Sequence, residues 1–287
     1  MMDNKIKLAP ILKWAGGKRQ LIPQIKKYIP DEYNNYFEPF VGAGALLFEL
    51  QPQTAVINDF NDELINVYHV VKDNVDKLID SLKLHINEED YFYKIRELDR
   101  ISEFVQLDNI QKASRFIYLN KTGFNGLYRV NSKGQFNVPY GKYKKPLIVN
   151  EEGLRSLHEY LNKNNIMILN GDFEHAVSTA AKGDFVYFDP PYDPLTATSS
   201  FTAYSKEGFN RTDQERLYKV YKELDKRGCY VMLSNSSTDF IKDLYKEFNV
   251  NIVTAKRNIN SKGTGRGAID EVLITNYEQR YQKEKEI

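Results

Sequence analysis

Phe185-Val186-Tyr187-Phe188-Asp189-Pro190-Pro191-Tyr192 spells out a strand and its abrupt end. Four apolar residues in succession suit a strand covered on both faces. The prolines behind Asp189 cannot donate to a ladder, so the chain must leave the sheet through a rigid turn at its carboxyl edge. Open α/β sheets bind ligands at that edge. There the Asp189 carboxylate and the Pro190 carbonyl can each accept a hydrogen bond from one exocyclic NH2 group. Tyr192 offers a face to a planar ring. Held so, an aromatic amine points its nitrogen lone pair out of the ring plane, toward an activated methyl group. Positioning and electrostatics would carry such a transfer without a covalent intermediate. The plainer alternative is an ordinary strand exit that happens to be rich in proline.

Working outward, residues 36–41, 55–57, 166–169, 230–233 and 271–277 are further short strand-like runs. Helical periodicity falls between them at 45–50, 212–226 and 238–247. This alternation predicts an α/β fold, a doubly wound sheet. Residues 61–150 interrupt it with apolar positions at helical spacing around 64–82, 92–98 and 113–119. Turn residues at 131–134 place a β-hairpin over 126–139. The expected division is therefore a discontinuous catalytic domain, 1–60 with 151–287, and a mainly helical inserted domain, 61–150.

Lys+Arg 40 against Asp+Glu 39 leaves the 287 residues at a formal +1. That balance hides an asymmetry: no acidic residue occurs from 109 to 150, where eight basic ones alternate with seven aromatics. Basic side chains neutralise phosphates and aromatic faces meet bases, so this segment points to nucleic acid beyond what a solvated basic face would need. A weaker acid-free stretch, 248–269, contains Gly263, Gly265 and Gly267 and suits a surface loop. One cysteine, Cys229, and four scattered histidines offer neither a disulfide nor zinc-ligand spacing. No apolar run approaches the roughly 18 residues of a membrane span, and residues 1–13 lack a signal-peptide pattern. A soluble intracellular protein with no metal and no membrane partner is expected.

Two further motifs carry chemistry. Phe40-Val41-Gly42-Ala43-Gly44 turns sharply at a strand end, although Leu47 stands where a dinucleotide fingerprint needs its third glycine. Asp59, after the next strand, suits either ribose hydroxyls or the cap of a helix beginning near Asp62. Lys13-Trp14-Ala15-Gly16-Gly17-Lys18 is not a P-loop, because Leu12 and Arg19 occupy its defining positions. Its glycine pair and lysines suit an anionic or nucleotide ligand, whereas a lone tryptophan is by default a core residue.

Together, the segments 10–18, 37–46, 57–61, 124–143 and 184–192 resemble the Dam family of adenine-N6 DNA methyltransferases. The resemblance covers about residues 8–277. Its motif order is that of the α group, and it is nearest to the DpnII-type, GATC-methylating branch. It implies a Rossmann-like sheet binding S-adenosylmethionine, with S-adenosylhomocysteine as product and no metal. Trp14 and Lys18 would lie beside that cofactor. Glu38, Pro39, Phe40, Gly42 and Gly44 would line its methionine moiety. Asp59 would take the ribose, Asp172 and Phe173 the adenine ring, and Asp189 would face both cofactor and substrate.

The resemblance also implies that Asp189, Pro190, Pro191 and Tyr192 are catalytic and act on an adenine flipped out of the duplex. Residues 61–150 become the target-recognition domain. There Arg129 would read guanine, Leu127 would touch a thymine methyl, and Lys13 and Asn125 would make polar contacts. Phe124 would fill the gap left by the extruded base, and Lys144 would meet phosphate. Residues 194–210, with Phe201, Tyr204, Gly208 and Phe209, would close over the site. The partners implied are double-stranded DNA in a bacterial cytoplasm and a functionally paired restriction endonuclease. Methyl transfer to an RNA base or a protein glutamine is the nearest alternative, and Asp189 in place of Asn speaks against glutamine. A non-catalytic DNA-binding protein on the same fold is the other.

Overall fold

A computed structural model describes residues 7–14, 16, 18–195, 209–256 and 268–278. Seven strands form one sheet: β1 (Tyr36–Glu38), β2 (Thr54–Asp59), β3 (Asn165–Asn170), β4 (Phe185–Phe188), β5 (Tyr230–Ser236), β6 (Asn249–Lys256) and β7 (Ala268–Thr275). Their spatial order is β3-β2-β1-β4-β5-β7-β6. The first five run parallel, and β7 lies antiparallel to both β5 and β6. This is the doubly wound α/β sheet that the alternation predicts. Strand order reverses between β1 and β4, and a ligand crevice opens at such a switch point.

The strands end where their sequence says they must. Pro39 cannot extend β1, and Pro190 and Pro191 cannot extend β4. All four β4 residues are buried because helices cover both faces. Phe185 and Tyr187 pack into one core, Val186 and Phe188 into the other, as the two-residue period of a strand requires. The first core lies under α2 (Ala45–Leu50), α3 (Asp62–Lys83), α4 (Glu89–Glu97), α5 (Asn109–Thr122) and α6 (Glu151–Lys163). The second lies under α7 (Phe173–Ala176), α8 (Arg211–Lys226) and α9 (Asp239–Leu244); α1 is the short Ile22–Ile25.

Caps set the helix starts. Asn61 accepts from Leu64 N to begin α3, Asp108 and Gln111 form a capping box on α5, and Asn210 and Asp213 form another on α8. Asn61, not Asp59, caps α3, which removes the helix-cap alternative for Asp59.

Two features differ from expectation. The 126–139 hairpin is no regular ladder: it is held by two isolated bridges, Val130 with Phe136 and Gly123 with Tyr140, by Asn137 N donating to Arg129 O, and by an Asn131–Gln135 turn. Pro139 and the left-handed Lys142 (φ 53°) prevent a longer ladder. Part of the acid-free 248–269 stretch is no loop: Asn249–Lys256 is the edge strand β6, paired along its length with β7. Its β-branched Val250, Ile252 and Thr254 recur at a period of two. Residues 257–267, with the three glycines, lie outside the described residues.

Candidate active site

The carboxyl ends of β1, β2 and β4 bring Glu38, Asp59 and Asp189 to the switch point. Buried Asn58 on β2 ties the ends of β1 and β3 to its own, donating from Nδ2 to the carbonyls of Pro39 and Gly171, each at 2.9 Å. Between β1 and α2 the chain turns through Gly42 (φ 49°) and Gly44 (φ 72°). Any side chain at Gly42 would begin 2.9 Å from Trp14 Cδ1, and one at Gly44 would begin 2.8 Å from Phe48 and 2.9 Å from the Tyr68 hydroxyl. Glycine is therefore required here by both φ and space.

Each carboxyl has its own electrostatic setting. Burial pushes Glu38 up to about 8; Tyr36, donating its hydroxyl to Oε2 at 2.8 Å, opposes that rise, and nearby Asp189 adds to it. Burial also raises Asp59, while its two oxygens accept from Gly42 N and Asn61 N, both at 3.0 Å. Asp189 is raised to about 6, chiefly by burial, with Lys18 pulling it down and Glu271 pushing it up. Lys18 Nζ sits 2.8 Å from Asp189 Oδ1, an ion pair outside hydrogen-bond alignment. The same ammonium donates to Gly16 O at 2.7 Å and stands 4.5 Å over the Tyr192 ring. One buried lysine thus touches both the carboxylate and the aromatic ring of the Asp189–Tyr192 turn.

Trp14 stacks on Tyr128 at 5.5 Å and 20°, so the indole is sandwiched between the Gly42 turn and the start of the hairpin. Tyr128 donates its hydroxyl to Glu63 on α3 at 3.0 Å, and Glu63 also faces the buried Arg115. Asp172 caps α7 and holds Arg216 through both oxygens, at 2.9 and 2.7 Å. Phe173 is buried against Phe40 (5.4 Å) and beneath the Arg216 guanidinium (4.3 Å). Phe209 meets Phe40 edge-on at 5.8 Å. Phe201, Tyr204 and Gly208 of the expected closing loop lie outside the described residues, as do Ala15 and Gly17.

Of the expected recognition residues, Lys13 is held beside the Asn125–Gly126 turn by buried Asn120. Its Oδ1 accepts from Lys13 N at 2.9 Å, and its Nδ2 donates to the carbonyls of Lys13 (2.8 Å) and Gly126 (3.0 Å). Asn125 and Gly126 form a tight turn with φ of 57° and 63°. Phe124, Asn125, Arg129 and Lys144 are exposed, whereas Leu127 is half-buried against the first core. Arg129 Nε donates to Asn137 Oδ1 at 2.7 Å, which holds the guanidinium across the hairpin.

Sequence reasoning missed several residues beside the site. Phe60, 58% exposed directly after Asp59, is an aromatic at the ligand edge whose position behind a strand-end carboxylate could have marked it. Glu271, which accepts from the Tyr192 hydroxyl, and Gln214, which holds the Pro191 carbonyl, come from distant elements. Among the described residues, no three His, Cys, Asp or Glu side chains converge as a metal site, and no helix is long and apolar enough to cross a membrane.

The model of the D12 class N6 adenine-specific DNA methyltransferases matches residues 14–259. A type II methyltransferase, M1.LlaDCHI, from Lactococcus lactis subsp. cremoris is 52% identical over 96% of this chain and 98% of its own. Another, M.MjaIII from Methanocaldococcus jannaschii, is 47% identical over 95% of this chain and 100% of its own. The DNA adenine methylase of Salmonella typhi is 34% identical over 91% and 93%.

Proposed function

The chain belongs to the D12 class of N6 adenine-specific DNA methyltransferases, and from that premise we propose that it methylates adenine N6 within duplex 5'-GATC-3' on a base flipped out of the helix. The observation that carries this reading is the juxtaposition of Lys18, Asp189 and Tyr192 with the glycine turn at the β1/β4 switch point.

The family is one of methyltransferases, which use S-adenosylmethionine, and the residues present fit that molecule. Asp189, ionised at neutral pH and with a buried Oδ1 that accepts no hydrogen bond, suits a cationic sulfonium. Glu38, at about 8, is an uncharged carboxyl able to hydrogen-bond beside it, and the left-handed Gly42 and Gly44 bring bare backbone to the same edge. Glu38, Pro39, Phe40, Gly42 and Gly44 would line its methionine end, with Trp14 and Lys18 alongside. Asp59 would take the ribose hydroxyls, with Phe60 beside it, and Asp172 and Phe173 would meet the adenine. When bound, it supplies a methyl group already activated on sulfur.

The rest of the work falls to the chain. With Lys18 on Oδ1, Asp189 offers its other oxygen to one N6–H, and the Pro190 carbonyl takes the second. A carboxyl at about 6 is mostly ionised at neutral pH and so accepts rather than donates. Pro191 fixes the backbone of the turn, and Tyr192 stacks on the flipped ring. Arg129, Asn125, Leu127 and Lys13 read the site from the 61–150 unit, Phe124 props the emptied stack, and Lys144 meets phosphate. The type II names of two relatives support pairing with a restriction endonuclease as the physiological setting.

The test is methylation of GATC duplexes, single-substituted duplexes and RNA with labelled cofactor. Label confined to adenine N6 in GATC duplexes is the expected result. Equal labelling of altered sites, or labelling of RNA alone, would overturn the assignment. In cells, DNA should become refractory to a GATC nuclease that adenine methylation blocks.

A further inference from the structure

A stacking platform works only if the tilt of its ring is fixed before the base arrives. The main chain on either side of Tyr192 is clamped by a run of buried amides. Gln214 Nε2 donates to Pro191 O at 2.9 Å, Asn235 Nδ2 donates to Gln214 Oε1 at 3.1 Å, and Asn235 Oδ1 accepts from Asp193 N at 3.0 Å. Gln214 is 1% exposed and Asn235 0%. Both peptide groups flanking Tyr192 are therefore pinned, and only its side-chain torsions remain. Lys18 stands over one face of the ring. The Tyr192 hydroxyl donates to Glu271 Oε2 at 2.8 Å. Glu271 sits within β7, in register with Ser236 of β5 and Val253 of β6, so the acceptor is held by strands on both sides.

We infer that Glu271 is a positioning residue for methyl transfer: through the Tyr192 hydroxyl it fixes the plane in which the ring receives the target adenine, with Lys18 closing the opposite face. This rests on Tyr192 being the surface on which the base stacks. Glu271 has a second consequence, because it is one of the groups facing Asp189. The others are Lys18 from the N-terminal segment, Glu38 from β1, Tyr187 from β4, and Tyr192 within the turn.

The experiment compares full-length Tyr192→Phe, Glu271→Leu, their double variant, the near-isosteric Glu271→Gln and Tyr192→Ala, on a GATC duplex at saturating cofactor across pH 5–9. Tyr192→Phe and Glu271→Leu should each lower kcat roughly tenfold, the rate equivalent of one hydrogen bond of about 1.4 kcal/mol. The double variant should fall no further than the worse single one. Glu271→Gln keeps an acceptor oxygen and should retain most of kcat at pH 8. Its acid limb should move to lower pH, since a negative charge facing Asp189 is gone, whereas Tyr192→Phe should leave the limb in place.

Multiplying losses in the double variant, Glu271→Gln as impaired as Glu271→Leu, or an unmoved limb in Glu271→Gln would each overturn the inference. If Tyr192→Ala is crippled while Glu271→Leu turns over normally, the inference alone fails. If Tyr192→Ala is fully active, the stacking role falls and takes the inference with it.

Discussion

Replacing Lys18 by methionine tests the heart of the site, because it removes a charge without removing the acceptor. Lys18 Nζ lies 2.8 Å from Asp189 Oδ1, and the two side chains are 7% and 19% exposed. At that 2.8 Å and an effective dielectric near 20, two unit charges interact by about 6 kcal/mol, about four pKa units. The residual exposure of Asp189 and the water that would follow the mutation screen much of this, so we expect the carboxyl to rise by about one to two units. In the intact protein Asp189 titrates near 6. It would move to about 7–8 in Lys18→Met, leaving roughly a tenth to a half ionised at pH 7.

The sign follows from the role. Transfer needs the ionised acceptor, so activity falls as pH drops through the Asp189 pKa, and Lys18→Met should shift that acid limb upward. The assay is kcat against pH at saturating cofactor and duplex, from pH 5 to 9.5. Activity should be depressed near pH 7 and largely recovered at pH 9. A limb that stays near 6, or a loss that is equal at every pH, refutes the claim that Lys18 acts by keeping Asp189 ionised.

Three other outcomes follow from the same geometry. Asp59→Ala should weaken S-adenosylmethionine binding by the worth of a charge-assisted hydrogen bond, about 1.5–3 kcal/mol, with DNA affinity in its absence unchanged; calorimetry showing wild-type cofactor affinity would exclude the ribose role. Arg129→Ala should flatten the preference for GATC over guanine-substituted duplexes by about 1–3 kcal/mol, whereas Lys144→Ala should weaken all duplexes alike and lower the salt slope by about 1; an equal loss at every site in Arg129→Ala would show that Arg129 meets backbone only. Arg115→Met removes the buried cation from Glu63 at 3.4 Å and from Asp99 at 2.8 Å, leaving Asp99 with Arg100 at 3.1 Å, and should cost about 2–3 kcal/mol in urea unfolding; an unmoved midpoint would contradict that accounting.

What could be read from the sequence was whatever depends on near neighbours. A buried run followed by two prolines announces both the strand Phe185–Phe188 and its end, and the 42–44 glycines announce a turn. The acid-free segment announces charge asymmetry without saying which side chains would be exposed. Contacts between distant parts of the chain stayed illegible. Nothing near Glu271 marks it as the acceptor for a hydroxyl 79 positions earlier. Gln214 and Asn235 look like ordinary polar residues until the fold buries them together. Strand β6 escaped notice because an edge strand without a long apolar run reads like a loop. Asp59 had two readings, and the Asn61 cap removes one of them, the helix cap, leaving the ribose role to experiment.

Helices α3 and α5 contribute Val67, Val71, Leu78, Phe116 and Leu119 to the same apolar cluster that takes Ile57, Phe185 and Met232 from the sheet. Tyr128 and Phe136 of the hairpin join it too. A segment that looks like an insertion along the chain has no core of its own to melt. Heating should give a single calorimetric transition whose van't Hoff and measured enthalpies agree, and excising 61–150 should leave the sheet exposing apolar surface and aggregating. Exchanging the whole segment with that of a relative would mean repacking the sheet as well. Altered specificity is more economically sought at the exposed positions Phe124, Asn125 and Arg129, which are not part of that shared interior.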